Sequence, residues 1–179
     1  LSAVAFRMDV SNEQSFDPLT GTSTSGGASR RRGVELGARA AAGGWTTLTA
    51  EWTFLDAKYR RLVSEEGDTL SGARVFNTAK FVGSAGVEVG RDSGRWRVGS
   101  RVNVVGPYTP FEAPGVTLSS YALLHLDGEL RLGRSTLQLG VRNLLDHKYP
   151  ELRAGDFVVP GQPRTVSATL RYAFGGHSQ

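Results

Sequence analysis

Residues 121–142 read YALLHLDGELRLGRSTLQLGVR, and the fold turns on how that stretch is parsed. Leu124, Leu126, Leu130 and Leu132 occupy alternate positions, with His125, Asp127, Glu129 and Arg131 between them. A period of two marks a strand, because successive side chains point to opposite faces. Gly133-Arg134 interrupts the pattern, and Leu137, Leu139 and Val141 then resume it against Gln138 and Arg142. Two such runs joined by a two-residue connector with glycine predict an antiparallel hairpin.

The same rhythm runs outward in both directions. Alternation predicts strands at about 1–10, 30–42, 45–57, 80–90, 95–105, 120–132, 135–145 and 164–174. The residues joining them are by turns very few and very many. Gly43-Gly44, Arg91-Asp92-Ser93-Gly94 and Gly133-Arg134 are tight; the connectors around 11–30, 60–80, 106–119 and 146–163 are long. All 7 prolines (Pro18, Pro107, Pro110, Pro114, Pro150, Pro160 and Pro163) fall in the long connectors, as expected if the alternating runs are paired on both sides. A chain whose long loops all emerge at one end, with tight turns at the other, has the layout of an outer-membrane β-barrel: short periplasmic turns, long extracellular loops.

The bulk properties permit this. The chain has 179 residues, 39% of them hydrophobic. Its mean hydropathy of −0.24 looks soluble, but lipid-facing and lumen-facing residues cancel in any average over a barrel strand. No run approaches the roughly 18 apolar residues of a transmembrane helix. Absence of cysteine excludes disulfides, thiolate metal sites and Cys nucleophiles. The net charge of +4 is scattered along strand positions rather than gathered into a stripe, which argues against nucleic acid as a partner. The chain opens Leu1-Ser2-Ala3 with no signal peptide, and the run Val4, Phe6, Met8, Val10 is already under way. Both features lead to the expectation that the chain is the C-terminal part of a longer exported protein.

Face assignment follows from the alternation. Val34, Leu36, Ala38 and Ala40 oppose Glu35, Gly37 and Arg39; Leu48, Ala50, Trp52 and Phe54 oppose Thr47, Thr49, Glu51 and Thr53. Phe81, Ala85, Val87 and Val89 oppose Ser84 and Glu88, and Trp96, Val98, Val102 and Val104 oppose Arg97, Arg101 and Asn103. The last run sets Val166, Ala168, Leu170, Tyr172 and Phe174 against Thr165, Ser167, Thr169 and Arg171. A small packed core could not hold so many charges without several kcal/mol of cost for each unpaired one, whereas a wide wet or plugged lumen could. Trp45, Trp96, Tyr172 and Phe174 lie near the tight-turn or C-terminal ends, where a periplasmic aromatic girdle belongs.

The last third of the chain carries a more specific pattern: Gly140-Val141-Arg142-Asn143-Leu144-Leu145-Asp146-His147-Lys148-Tyr149, then Pro160-Gly161-Gln162-Pro163-Arg164-Thr165-Val166, then a strand ending Leu170-Arg171-Tyr172-Ala173-Phe174. This resembles the C-terminal end of a TonB-dependent outer-membrane receptor. Upstream, Arg31-Arg32-Gly33-Val34-Glu35-Leu36, Trp52-Thr53-Phe54-Leu55-Asp56-Ala57 and Asn77-Thr78-Ala79-Lys80 resemble strand boundaries of the same family, in the same order. The resemblance implies an all-β, antiparallel transmembrane barrel of roughly 22 strands, of which residues 1–174 supply about eight. Residues 175–179 form a short tail after Phe174, where the family usually ends; the turn from Pro160 to Arg164 is two residues longer than the family's. The resemblance further implies a plug domain and a TonB box before residue 1, energy from the TonB complex, and import of a large scarce solute. A ferric siderophore is the leading expectation, with haem, cobalamin or a glycan as other cargoes of the family. It implies recognition of the last strand, at Leu170, Tyr172 and Phe174, by the barrel-assembly machinery.

Residues with chemistry are read against that background. His125, Asp127 and Glu129 share a face, but same-face neighbours stand roughly 7 Å apart along a strand, too far for one metal ion. We read them as lumen-lining. No nucleophile elbow, HExxH helix or phosphate-binding glycine loop is present, and the chain is expected to be a transporter with no cofactor, not an enzyme. Five residues are candidates for touching solute from the loops: Arg30, Arg31, Tyr108, Phe111 and His147. Arg30-Arg31-Arg32 reads first as a solvated charge run, and alternatively as a contact for lipopolysaccharide phosphates or an anionic solute, since guanidinium forks suit both. The segment Pro107–Phe111 could close over solute or simply stiffen a long loop. Two rival readings stay open: a free-standing eight-stranded outer-membrane barrel serving as anchor or adhesin, and a soluble ligand-binding barrel.

Overall fold

The structure is a computed structural model that describes residues 1–16, 23–62, 71–91, 94–110, 116–154 and 157–174. Ten strands occur among these residues: β1 (Ser2–Phe16), β2 (Ser23–Ala42), β3 (Thr46–Arg61), β4 (Phe81–Gly90), β5 (Trp96–Val105), β6 (Tyr121–Leu132), β7 (Ser135–Arg142), β8 (Pro150–Ala154), β9 (Phe157–Pro160) and β10 (Thr165–Tyr172). Eight of them form one sheet in the order β1-β2-β3-β4-β5-β6-β7-β10. Every neighbouring pair is antiparallel. Among the described residues β1 and β10 are each paired on one side only, so the sheet is an open wall.

All eight expected strands are present. The tight connectors behave as the glycines require: Gly43 and Gly44 both take positive φ (60° and 67°), the signature of a type I′ hairpin. Gly133 alone does so (φ 59°) in the β6–β7 turn. Two differences from the sequence reading concern the long connectors. Residues 11–16 and 23–29 continue β1 and β2 instead of leaving the sheet. Their Ser, Gly and Glu content reads as loop, but a backbone ladder forms whatever the side chains are once a partner strand is in place; a bulge near Asn12 (φ 54°) absorbs the misfit. Within 146–163 a small second hairpin, β8–β9, pairs Pro150 with Pro160. The two prolines stand at its open end, where a missing N–H is tolerated.

The register places paired residues on one face, and this sorts the side chains. Leu36↔Trp52↔Gly83↔Val104 and Val89↔Val98↔Gly128↔Leu139↔Ala168 are rungs of the apolar face. Glu88↔Gly99↔Asp127↔Gly140↔Ser167 is a rung of the polar one. In β1 the sorting inverts. Val4, Phe6 and Met8 pair with Glu35, Gly33 and Arg31, so they line the polar face, and Ala3 and Ala5 take the apolar one. Phe6 fills the space above Gly33, where an added Cβ would come within 2.8 Å of its ring.

Among the described residues no core underlies the middle of this sheet. Leu36, Leu48, Phe54, Val98, Leu130, Leu139, Val166 and Leu170 are all exposed. The accessible surface is 11911 Å², whereas a compact soluble monomer of this mass shows about 8,400 Å². An apolar face left bare on this scale suits contact with hydrocarbon. Its two rims are aromatic. At the tight-turn end Trp45 and Trp96 lie 6.4 Å apart, Arg91 caps Trp45 at 4.3 Å, and Tyr172 meets Phe174 edge-on at 4.7 Å. At the long-loop end Trp52, Phe54 and Phe81 form a triangle with 6.2–6.3 Å sides. From Trp45 to Phe54 the chain climbs roughly 30 Å along the strand, or roughly 21–25 Å after a 35–45° tilt, which matches the apolar band of an outer-membrane barrel.

Two local devices hold the strand ends. Trp52 lies flat over Gly83, where a Cβ would come within 2.4 Å of the indole. Asn143, 2% exposed and left-handed (φ 48°), ends β7. Its amide donates to the carbonyls of His147 and Gln162 (both 2.9 Å), and its Oδ1 accepts from the His147 N–H (2.9 Å). Asp146 Oδ1 accepts from the Arg164 N–H (2.9 Å). The two ends of a long connector are thereby clamped to each other just before β10 starts.

Three predictions follow from these arrangements in the intact protein reconstituted in lipid. Asn143→Ala combines a left-handed φ with orphaned buried carbonyls, a loss of roughly 2–5 kcal/mol, seen as a lower temperature for losing the folded band on a gel; Asn143→Gly should recover only the backbone part. Gly83→Val forces Trp52 off the sheet and costs about 1–3 kcal/mol, read by the same assay with a shift in tryptophan emission. Spin labels at Leu126 and Asp127 should differ, oxygen relaxing the first more and a nickel chelate the second; equal accessibility would refute the two-faced wall.

Candidate functional site

The buried part of the molecule is at the long-loop end. Above Phe54, β3 outruns β4, and its free edge is taken by the segment 72–80. Leu55 and Tyr59 donate to Lys80 and Ala73 carbonyls, and Gly72 and Val75 donate back to Tyr59 and Ala57. Ala57, Tyr59, Val75 and Phe76 are buried together there, with Leu55, Leu62 and Ala73 packed around them. Tyr59 meets Phe76 edge-on at 5.6 Å, and burial pushes its phenol pKa up. The next connector stacks on this one: Asn77 and Lys80 donate to the carbonyls of Thr109 and Pro107. Tyr108 is buried, pairs with Leu118, and donates its hydroxyl to the Pro150 carbonyl at 3.2 Å. Tyr149, at the foot of β8, stacks on Tyr121 at 4.4 Å and lies against Gly161. Three long connectors are thus joined into one collar.

Below the collar the polar face is a charged wall whose members neutralise one another sideways. Glu129 accepts from Arg131 (2.8 Å) and Gln138 (2.9 Å), and Arg97 lies 3.7 Å from both Glu129 and Glu88. His125 faces the same way, with the Asn103 amide 3.2 Å from Nε2 and the Asn143 N–H donating to Nδ1 at 3.4 Å. Gly99 leaves room beside Asp127, whose carboxylate would meet a Cβ there at 2.7 Å. His125, Asp127 and Glu129 therefore turn to separate neighbours, and among the described residues no group of three or more potential ligands could hold a metal ion.

The apolar face changes character at one level. Along β3 its outward residues run Leu48, Ala50, Trp52, Phe54 and then Asp56, Lys58, Arg60; along β2 they run Leu36, Val34 and then Arg32, Arg30; along β1, Ala5 and then Arg7, Asp9. The register aligns the change, with Arg7↔Arg32↔Asp56 as the first charged rung and Asp9↔Arg30↔Lys58 as the second. Asp9 is shared by Arg7 (3.0 Å), Arg30 (2.7 Å) and Arg60 (3.5 Å), and Asp56 by Arg32 (2.9 Å) and Lys58 (4.0 Å). The Arg30 hydrogen bond holds the Asp9 carboxyl below its usual range, so that pair survives mild acidification.

The solute candidates scatter accordingly. Arg30 points to the outer face; Arg31, one residue on, points inward and is ion-paired with Glu13. Tyr108 is built into the collar. His147 is exposed beside the Asn143 clamp. Phe111 lies outside the described residues, as does the tail 175–179. Leu170, Tyr172 and Phe174 are exposed at the outer face of the last strand. The Trp52-Phe54-Phe81 rim and the cations Arg7, Lys58 and Arg60 went unremarked in the sequence reading. The signal for both was the outward i, i+2 series of β3 continued past Phe54, where the aromatics stop and the charges begin.

Comparison with known proteins bears on this wall and collar. The family described as TonB dependent receptor-like, beta-barrel matches residues 1–144. Three solved structures are similar. The ferric-catecholate import receptor Fiu of E. coli K12 is 22% identical (TM-score 0.69; 96% of this chain, 25% of the receptor). The ferric yersiniabactin uptake receptor FyuA of Yersinia pestis is 20% identical (TM-score 0.76; 97% and 27%). BauA, the ferric preacinetobactin receptor of Acinetobacter baumannii, is 19% identical (TM-score 0.73; 95% and 26%). The chain spans about a quarter of the length of each of these structures. With its family match covering most of its length, the chain belongs to the TonB-dependent receptor β-barrel family.

Proposed function

We propose that this chain forms wall and loop collar of an outer-membrane transporter that imports a ferric siderophore with energy from the TonB complex. The family is one of transport receptors, not enzymes, and its barrels are outer-membrane proteins. The observation that carries the reading is the joined collar over a charged wall, on a strand register that leaves the opposite face bare and aromatic-rimmed. The siderophore as cargo rests on the similar receptors named above, each of which takes a ferric chelate. Haem, cobalamin and glycans are the alternatives.

Within that reading each candidate takes a distinct part. Arg31 and His147 present charge and imidazole to solute; Arg31 is held ready by Glu13. Tyr108 acts as a brace between connectors instead of a solute contact. Phe111 belongs to the same connector and is assigned to solute closure on sequence alone. Leu170, Tyr172 and Phe174 offer the barrel-assembly machinery an apolar strip on the last strand. The TonB complex acts through a plug and TonB box of the full receptor.

The test is uptake. Deleting the full receptor gene in its own host should abolish accumulation of at least one labelled ferric siderophore under iron limitation, and deleting TonB should do the same. In the complemented strain, Arg31→Gln with His147→Ala should weaken that solute's binding several-fold, while Tyr108→Phe should leave affinity unchanged and make the 106–119 connector easier to cleave. Unaltered accumulation across catecholate, hydroxamate and carboxylate chelates would refute the siderophore assignment.

A further inference from the structure

We propose that a hollow in the polar face between β3 and β6 is a binding site for an amino-acid group: an ammonium and a carboxylate carried together, on a free amino acid or at one end of a cargo. The proposal rests on the reading of that face as a lumen wall, and not on the cargo being a ferric chelate.

The register builds the hollow from two adjacent rungs. The upper runs Arg39↔Thr49↔Gly86↔Arg101, the lower Thr47↔Glu88↔Gly99↔Asp127. Over these strands the upper rung carries two cations and no carboxylate, and the lower two carboxylates and no cation. Same-face rungs stand about 7 Å apart, so the wall changes sign within one step. The glycines make it concave. With no side chain at Gly86 or Gly99, a hollow of about 110 Å³ opens there, edged by the polar residues of both rungs. One water needs roughly 10–15 Å³ and a drug-sized ligand at least about 300 Å³. The hollow therefore suits a small group, or one end of a larger molecule.

The charges at its edge are left open. Arg101 leans back over Gly86, its Nε 3.7 Å from where a Cβ would stand, and the Thr49 hydroxyl lies 3.1 Å from the same point. Asp127 leans back over Gly99, both carboxylate oxygens within 2.8 Å of that Cβ position. Diagonal neighbours on adjacent strands are within reach of long side chains. Yet among the described residues Arg101 and Asp127 form no ion pair, with each other or with any other group, and neither does Arg39. One rung lower the wall behaves differently: Arg97 lies 3.7 Å from both Glu88 and Glu129. Opposite charges are thus held apart only around the concavity.

That order of charge selects the ligand. A plain anion drawn to Arg39 and Arg101 meets Asp127 and Glu88 one rung below, and a plain cation meets the reverse; like-charge juxtaposition penalises both. A group with a carboxylate beside an ammonium satisfies the two rungs at once. The guanidiniums and the Thr49 hydroxyl give hydrogen bonds to the carboxylate, and Asp127 accepts from the ammonium.

The experiment uses the full receptor in nanodiscs, with free glycine as probe and saturation-transfer NMR as readout. Glycine should bind, and sodium acetate and methylammonium chloride at matched ionic strength should bind at least about tenfold more weakly. Arg101→Gln and Asp127→Asn should each weaken glycine about tenfold, and the exchange Arg101→Glu/Asp127→Lys should recover most of the loss with the ligand reversed. Acetate binding as well as glycine overturns the proposal, since it marks a plain anion site. Glycine binding unchanged by both single variants overturns it too. So does a receptor that never binds glycine but unfolds at lower temperature in both variants, because the pair then serves another part of the receptor. Where the charge variants fail to fold, Gly86→Ala decides: it fills the floor without altering charge, and unchanged glycine binding sinks the site. Uptake separates the two sources. A cargo end is the ligand if a chelate with a free amino-acid end accumulates faster than its N-acetyl methyl ester and Asp127→Asn removes the difference; a free amino acid is the ligand if both chelates accumulate alike. Accumulation of no chelate refutes the siderophore assignment and leaves the glycine measurement to judge the site.

Discussion

An antiparallel ladder places the two residues of each pair on the same face, and almost everything else in this molecule depends on that constraint. In hydrocarbon no water is available to rescue an N–H or a carbonyl, so the ladder must continue through every spanning residue. Once it does, the choice of register determines which side chains meet lipid and which meet the lumen. A slip of one residue would turn Leu126 inward and Asp127 outward, at a cost no surface change could offset. The aromatic rims, the lateral ion pairs and the outward charged band all follow from the one register.

The absence of a core beneath the sheet changes what packing is for. In a soluble domain, side chains of one layer stabilise the next. Here they meet sideways. Glu129 is neutralised along the wall by Arg131 and Arg97, and Trp52 rests on Gly83 one strand away. Among the described residues the buried apolar cluster lies where strands give way to loops, around Ala57, Tyr59, Val75 and Phe76. That placement ties the collar to the strands that support it.

Residue 143 shows why an asparagine stands at this strand end. A left-handed φ admits few residues besides Gly, Asn and Asp. Of these, Asn alone can both donate to two carbonyls and accept from an N–H, as Asn143 does with His147 and Gln162. Asp146, also left-handed, needs only to accept, and accepts from Arg164. The motif is a clamp for a loop, and its chemistry is legible once its geometry is known.

The existence of the eight wall strands, the alternation of tight and long connectors, the apolar and polar faces of β2 to β7 and of β10, and the family were all determined by the sequence alone, because a period of two and glycine turns are local properties. Three matters were left to tertiary structure. The inverted facing of β1 depends on the partner across the ladder, since Val4, Phe6 and Met8 alternate correctly in either sense. The continuation of β1 and β2 through Ser- and Gly-rich residues depends on each supplying the other's hydrogen bonds. The collar, and the parting of Arg30 from Arg31, required residues far apart in the chain to meet: Tyr108 with Pro150, Asp9 with Arg30, Glu13 with Arg31. Local pattern specifies an element and its two faces; only pairing decides which face looks where.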